Sequence, residues 1–398
     1  MKILYIHQYY NTPEMQGSTR SYEFARRLAN DGHEVIVITA DRTENAPNRR
    51  VELGNFKVVW LGIKYNNRMG FISRLFAFLS FMLRASCEAI RFESDLVFAT
   101  STPLTVFIPG WIASIFCRAP LVFEVRDLWP EMPIAAGILK NRFLIRLLLW
   151  FESFVYRRCA SVVALSEDMK ASVEAKSPNV PVFCIPNSSD IELFDKVSTG
   201  EISEYRDKLG FKPTDIVLIY AGTLGFLNNV PYLLDLAEKS QCDRLKFLII
   251  GEGADAEVIK TRISNSESLT QKVCYLGGIS KIEVAIAVRS SNFGVSLFRP
   301  IGEMEKNSAN KFFDYLAAGL PVIINYGGWQ EKIIVTHNCG FKLSSDPALA
   351  AEELRQKIWT DPQQSIVMGR NSRRLAEENF ARDLLYNKLL DVFIMVGR

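Results

Sequence analysis

Short and almost wholly apolar runs recur along this chain, each followed by a longer stretch of helical composition. In the first half they read KILYIHQ, EVIVITA, FKVVWLG, DLVFAT, PLVFEV, SVVALS and VFCIPN. The second half repeats the rhythm with DIVLIYAG, LKFLIIGEG, KVCYLGG, FGVSLF and LPVIIN. A strand that is polar on neither side is buried on both, and strands alternating with helices build a parallel sheet between two helical layers. At 398 residues the chain is long for one core, so two domains are expected. The polar, weakly periodic stretch starting SSDIELFDKVSTGEISEY marks the junction, near residues 188–210. The sequence therefore predicts an α/β fold of two doubly wound parallel-sheet domains, residues 1–188 and 189–375. The amphipathic run EENFARDLLYNKLLDVF in segment 376–398 is expected to dock back on the first domain as one helix. In open parallel sheets ligands sit at the carboxyl ends of strands, so two such domains face each other across one cleft.

Composition narrows the class. The 48% apolar and 23% charged content is that of a globular protein, and a net charge of +3 gives no basis for a nucleic-acid partner. The charge is uneven: residues 1–190 hold 22 Lys/Arg against 18 Asp/Glu, the remainder 25 against 26. Seven scattered cysteines without a Cys-x-x-Cys read as reduced thiols in a cytosolic protein. The opening MKILYIHQYY is too short an apolar run for a signal peptide and reads as the first strand. Residues 96–117 carry no charge for 22 positions, but Pro103, Pro109, Gly110 and several hydroxyls interrupt them. That pattern predicts a strand, a loop and a buried helix rather than a membrane span.

The loops after strands hold the candidate chemistry. Gly17 and Ser18 precede a helix bearing Arg20, where backbone N–H groups could meet an anion or hydroxyl, or simply form a capped surface loop. Arg126 and Asp127 stand at the end of the apolar run PLVFEV, where charge is costly unless it is used or paired. YAGTLGFLNNV places Gly222 and Gly225 where a backbone can approach a ligand closely, ahead of Asn228 and Asn229. Gly251, Gly253 and Ala256 match G-x-G-x-x-A, the dinucleotide fingerprint. The match lies on the second strand of its domain, and Thr270, Gln271 and Lys272 occupy the region where an acid should follow, with Glu267 early. NAD binding is accordingly disfavoured. His7, His33 and His337 are dispersed, so no metal hydrolase is expected. Glu303 and Glu305 could hold Mg²⁺ or form a solvated acidic loop. SANKFFDYLAAGLPVI sets Lys311 and Asp314 three apart near a helix start, either as an exposed ion pair or as holders of something charged.

Taken in order, GSTRSYEFARRLANDGHEVIVITA, VVALSEDMK, CIPNSSDIELF, YAGTLG, LIIGEG and SANKFFDYLAAGLPVI resemble the glycosyltransferases of family 4, over essentially the whole chain. VRDLWPE with SANKFFDYLAAG looks more narrowly like bacterial enzymes that build O-antigen, capsule or colanic acid, including fucosamine-type transferases. The resemblance implies the GT-B architecture and retaining transfer from a nucleotide sugar without a metal or other cofactor, with a UDP-sugar as co-substrate. It places the donor on Gly222, Thr223, Asn228, Glu252, Leu276, Asn310, Lys311 and Asp314. Lys311 would meet the diphosphate and Asp314 the ribose. Catalytic roles fall to Asp127, Arg126 and Glu303, and Gly17, Ser18, Arg20 and Asn187 would form an acceptor or donor loop. Three departures stand out. The family's paired glutamates become Lys306 and Asp314, so Glu303 or Glu305 must stand in for the first. The usual Arg and Lys after the second domain's first strand are missing, which leaves Lys311 and Arg299 for the diphosphate. Arg126 replaces the usual histidine before Asp127.

The acceptor expected from the resemblance is a polyprenyl-diphosphate-linked saccharide. Segments 64–91 and 138–158 each carry five Lys/Arg and one Glu among bulky apolar residues. Such stretches suit a helix on an anionic membrane surface, with Arg74 and Arg84 among the contacts, or a core helix with a basic wet face. The expected location is the cytoplasmic face of the cell membrane. An NAD-dependent epimerase or oxidoreductase and a non-catalytic sugar-binding protein are the rival readings.

Overall fold

The computed structural model describes residues 1–15, 17–65, 69–359 and 362–397. The first sheet has eight strands: β1 Lys2–Ile6, β2 Glu34–Asp41, β3 Arg49–Leu53, β4 Phe56–Gly62, β5 Leu96–Thr100, β6 Leu121–Val125, β7 Ser161–Ala164 and β8 Val182–Cys184. Their order is β3-β4-β2-β1-β5-β6-β7-β8. The second sheet has six: β9 Ile216–Ala221, β10 Leu245–Ile250, β11 Val273–Tyr275, β12 Phe293–Ser296, β13 Val322–Ile324 and β14 Gly340–Lys342, in the order β11-β10-β9-β12-β13-β14. Two doubly wound α/β domains result, and the strand order reverses direction between β1 and β5 and between β9 and β12.

The apolar runs owe their character to burial on both faces. Ile3 and Tyr5 of β1 enter one core with Phe24, Leu28 and Phe98, while Leu4 and Ile6 enter the opposite core with Phe81 and Phe107. In β9, Val217 and Ile219 face one way and Leu218 and Tyr220 the other. One expectation needs correcting, because the first sheet is not wholly parallel. β3 (RRVEL) runs antiparallel to β4 at the edge, mostly exposed, so it lacks the apolar signature of a central strand.

Residues 191–208, polar in composition, are helical: Ile191–Asp195 and Thr199–Lys208, the second opened by a reciprocal capping box of Ser198 and Glu201. Residues 107–117 form a helix behind β5. Among the described residues no helix is long and apolar enough to cross a membrane. After a π-helical turn at Ala376–Phe380 the chain crosses back as the helix Arg382–Val396. Its Leu385, Leu389, Val392 and Phe393, spaced along one helical face, bury against Ile3, Tyr5 and Phe98. Ion pairs of Asp383 with Arg27 (2.7 Å) and of Arg382 with Asp190 (2.8 Å) flank that contact.

Candidate active site at the interdomain cleft

The carboxyl ends of the central strands of both sheets open into one cleft of about 720 Å³. Its second-domain wall is built from the loops after β9, β10, β11 and β12 together with the helix Asn310–Ala317. Tyr315 of that helix fixes β9 against β12. Its hydroxyl accepts from the Ala221 N–H (3.0 Å) and donates to the Val295 carbonyl (3.2 Å).

Lys311, one turn back on the same helix, is buried, with its ammonium 4.8 Å from the ring centroid of Tyr220 and 5.6 Å from that of Phe298. Its Nζ donates to Asn228 Oδ1 at 3.4 Å. Burial pushes its pKa down to about 8. Gly222 lies directly beneath it: a Cβ there would come within 2.7 Å of Lys311 Cε. Asp314 does not pair with Lys311. Its Oδ2 accepts from Lys281 Nζ at 2.7 Å, and all three groups line the cleft. No side chain caps the Asn310–Ala317 helix; the Phe312 N–H turns to the Ala309 carbonyl (3.1 Å), which leaves the N–H groups of Asn310 and Lys311 to meet an anion at this helix start.

The loops of the G-x-G-x-x-A match serve packing. A Cβ on Gly251 would lie 1.8 Å from the Gly222 carbonyl oxygen, and one on Gly253 would lie 2.0 Å from that of Leu224. Both glycines let the loop after β10 run backbone to backbone against the loop after β9, which accounts for the pattern without a dinucleotide. Glu252 lines the cleft and accepts from the Gly278 N–H at 3.2 Å.

On the first-domain wall Asp127 faces across the cleft. Asn307 Nδ2 of the second domain donates to its Oδ1 (3.3 Å), and Thr102 Oγ1 donates to its Oδ2 (3.3 Å). Burial raises the Asp127 pKa, against opposing pulls from the Arg126 charge and these two hydrogen bonds. Arg126 directs Nη1 to His7 Nε2 at 3.4 Å, and Ser21 Oγ lies 2.9 Å from His7 Nδ1. An arginine only donates, so Nε2 is the acceptor and Nδ1 carries the proton. Burial, then the charges of Arg126 and Arg42, hold His7 well below the usual imidazole range, hence neutral. Asn187 Nδ2 donates to the Ser308 carbonyl (2.6 Å), a second bond between the walls.

The structure brings Gly17, Ser18, Arg20, Arg126, Asp127 and Asn187 together on one wall. On the other it sets Gly222, Thr223, Asn228, Glu252, Asn310, Lys311 and Asp314. It does not bring in Glu303 or Leu276. Glu303 pairs with Lys306 at 2.8 Å outside the cleft lining, and Glu305 turns away to accept from the Gly327 N–H (3.3 Å). Leu276 packs against the second domain's core, and Gly278 and Ile279 from the same loop line the cleft instead. Arg299 also lies outside the lining, with its guanidinium 4.0 Å from the centroid of Phe226 and Nε donating to the Phe226 carbonyl. Arg20 lines the cleft, but its guanidinium is spent on the fold. It donates to Glu124 Oε1 (2.8 and 3.0 Å) and to the carbonyls of Pro186 and Ile185. Lys281, Asn307, Arg42 and His7 were not singled out from the sequence as site residues. His7 and Arg42 each stand directly after a strand, the signal that could have found them.

Residues 17–188 match the family described as glycosyl transferase 4-like domain, and residues 201–375 the family described as glycosyl transferases group 1. Both domains belong to glycosyltransferase families. A protein named glycosyltransferase EpsD in Bacillus subtilis is 24% identical over 187 residues, 46% of this chain and 47% of that one. A protein named colanic acid biosynthesis glycosyl transferase WcaI in Escherichia coli is 23% identical over 271 residues, 64% of this chain and 66% of that one. The matches thus span about half to two thirds of these relatives. Among solved structures, HepE of Anabaena in complex with UDP and glucose superposes with a TM-score of 0.73 at 17% identity, covering 99% of this chain and 100% of that one. The fold is that of these two-domain transferases.

Proposed function

We propose that the protein is a retaining glycosyltransferase of bacterial surface polysaccharide synthesis. It would move a sugar, an N-acetylamino sugar such as N-acetylfucosamine, from UDP to a polyprenyl-diphosphate-linked glycan. The observation that carries this reading is one cleft with two unlike walls. On one wall Lys311, the Lys281–Asp314 pair and an uncapped helix start meet, while Asp127 stands on the other. A diphosphate fits the first wall, where cation and helix dipole act together, and Asp314 would reach the ribose. The UDP-bound state of HepE and the name of WcaI support the donor and the pathway class.

In the reaction the bond between the sugar's anomeric carbon and the β-phosphate oxygen breaks, and its electron pair leaves with UDP. The acceptor hydroxyl oxygen forms the new bond to that carbon and gives up its proton. Lys311 stabilises the charge developing on the departing diphosphate, where losing one such donor costs ~10²–10³-fold in rate. Asp127 orients the acceptor hydroxyl and, with its pKa raised, is a better proton acceptor than an exposed aspartate. Closure of the domains excludes water and limits hydrolysis.

The lipid acceptor brings the first domain to the inner face of a membrane. Three neighbouring helices, Phe71–Ala89, Phe107–Cys117 and Arg142–Arg157, carry exposed apolar side chains, among them Phe76, Phe116, Phe143 and Trp150. Lys140, Arg142 and Arg146 are exposed beside them. In the first basic stretch, Arg68 lies outside the described residues. Arg84 donates to the Gly62 carbonyl (2.7 Å) and Asn48, and Arg74 to the Met69 carbonyl (2.9 Å), so both are half-buried and partly engaged within the fold, and the exposed basic residues of the second stretch carry the proposal instead.

Calorimetric titration in EDTA with UDP, GDP, ADP and NAD tests the reading. Preferential UDP binding is expected. GDP preference would change the donor, while NAD binding without any nucleoside diphosphate response would sink it. Binding of free saccharide with no transfer to a lipid-linked acceptor would point to a sugar-binding module.

A further inference from the structure

The first-domain wall of the cleft carries two arginines that make no ion pair among the described residues. Arg42, directly after β2, and Arg126, directly after β6, both line it. Arg42 donates to Asn11 Oδ1 and lies 5.9 Å from the ring centroid of Tyr9. Asn11 is itself held, its Nδ2 donating to the Ser18 carbonyl at 3.4 Å, so the arginine is aimed rather than loose. Arg126 meets only the neutral imidazole of His7 at its Nη1. Both guanidiniums are partly buried, and among the described residues neither makes an ion pair.

The carboxylates next to them in sequence are committed elsewhere. Asp41 pairs with Arg49 at 3.1 Å and accepts from Thr43, and Asp127 accepts from Thr102 and Asn307. Even with Asp127 credited to Arg126, Arg42 makes no ion pair among the described residues: the Asp41 carboxylate favours its charge but is bonded to Arg49 and Thr43. The wall's other arginines are answered, Arg20 by Glu124 and Arg382 by Asp190. Taking an unpaired charge out of water is costly, and a ligand of opposite charge removes that cost. The transferase reading puts the donor's diphosphate on the opposite wall, beside Lys311 and the helix start, so on that reading the counter-charge here belongs to another molecule.

We propose that Arg42 and Arg126 form an anion subsite that binds a phosphate group of the acceptor. The inference rests on the transferase reading above. Two planar guanidiniums suit the several oxygens and double charge of a phosphate, which both can grip by paired hydrogen bonds. The group could be the diphosphate of a lipid carrier or a phosphate on the acceptor sugar. Both present the same oxyanion. His7, held neutral and accepting from Arg126, positions that side chain without adding a third positive charge.

The test uses the full-length protein saturated with UDP, so that the second-domain wall is already occupied. It is titrated by calorimetry with citronellyl diphosphate, a short lipid diphosphate, and with glucose 6-phosphate. At least one is expected to bind. Arg42→Gln and Arg126→Gln each weaken that binding tenfold or more, Arg42→Lys retains more of it, and UDP affinity is the same in all variants. Tighter binding of citronellyl diphosphate identifies a lipid carrier, and tighter binding of glucose 6-phosphate a phosphorylated sugar; either supports the subsite. Failure of both to bind the UDP-saturated wild type, or undiminished binding by the double variant, overturns it. If UDP itself does not bind, the transferase reading falls and takes the acceptor assignment with it. If UDP binds and the anions do not, only the subsite falls.

Discussion

Asn307 of the second domain donates a hydrogen bond of 3.3 Å to Asp127 of the first. This bond joins the two walls at the group assigned to the acceptor, so closing the cleft and orienting the carboxylate are one event. Asp127→Ala is expected to lower transfer by ~10²–10⁴-fold, the range for loss of a positioned proton-handling group, with UDP affinity retained. Asn307→Ala should give a smaller loss of the same kind. Equal loss of UDP binding in both variants would place Asp127 in the donor site instead.

Asp314 and Lys281 hold each other at 2.7 Å where the ribose is placed. Removing the carboxylate takes away a charged hydrogen-bond acceptor worth ~1.5–3 kcal/mol, so Asp314→Ala should weaken UDP binding roughly 10–100-fold. Lys281→Met frees the carboxylate for the ribose while deleting a cation near the diphosphate. Its loss should therefore be smaller for uridine than for UDP at equal ionic strength. Titration of both ligands against both variants separates these effects.

Both domains and most of their strands were legible because strands buried on two faces must be apolar on two faces, as Ile3–Ile6 and Val217–Tyr220 are. β3 was not, since an edge strand is free to be polar. In the site, residues directly after strands or at a helix start, such as Asp127, Gly222 and Lys311, were marked as candidates by position, and the family resemblance supplied their roles; all three line the cleft. Where a side chain turns cannot be read that way. Glu303 found Lys306, Arg299 found Phe226, and Lys281 reached Asp314 from 33 positions away. Arg20 shows the same limit. It sits where a ligand arginine would sit, yet Glu124, distant in sequence, claims it.

That claim makes Arg20 a stability residue. Its ion pair with Glu124 is almost fully buried, and Thr100 Oγ1 donates to the remaining Glu124 oxygen at 2.6 Å. Arg20→Ala strands a buried carboxylate, which should cost ~3–5 kcal/mol of folding stability. Chemical denaturation would show it, while UDP affinity of the folded fraction stays close to wild type. A variant as stable as wild type but unable to transfer sugar would return Arg20 to the site.

Lys311 gives the donor site a pH dependence whose sign follows from its burial. Its value of about 8 in the protein lies below the ordinary 10.5, because burial disfavours the ammonium form. A diphosphate favours that form, so binding raises the value and draws in a proton wherever the free protein has lost one, above about pH 8. UDP affinity should therefore fall as pH rises from 7 through 9. Proton uptake should be visible when titrations at pH 9 are repeated in buffers of different ionisation enthalpy. Lys311→Met should bind more weakly at pH 7 and lose the dependence. Folding stability runs the other way: the cost of burying the charged lysine is present at pH 8 and relieved as pH rises toward 10.5.

The Arg142–Arg157 helix is the part of the proposed membrane face that can be tested without disturbing the cleft. Phe143 is 77% and Trp150 62% exposed, and Arg142 and Arg146 lie on the same surface without ion pairs among the described residues. A basic residue near an anionic bilayer contributes about 1 kcal/mol, so Arg142→Gln with Arg146→Gln should weaken vesicle binding by tenfold or more. That loss should shrink as salt is raised, because the charge attraction is screened. Phe143→Ser with Trp150→Ser removes buried apolar area instead and should weaken binding at every salt concentration. Co-sedimentation with phosphatidylglycerol-containing vesicles reads both, and UDP titration checks that the cleft is intact. Unchanged sedimentation in both double variants would mean that these side chains face solvent or another protein rather than lipid.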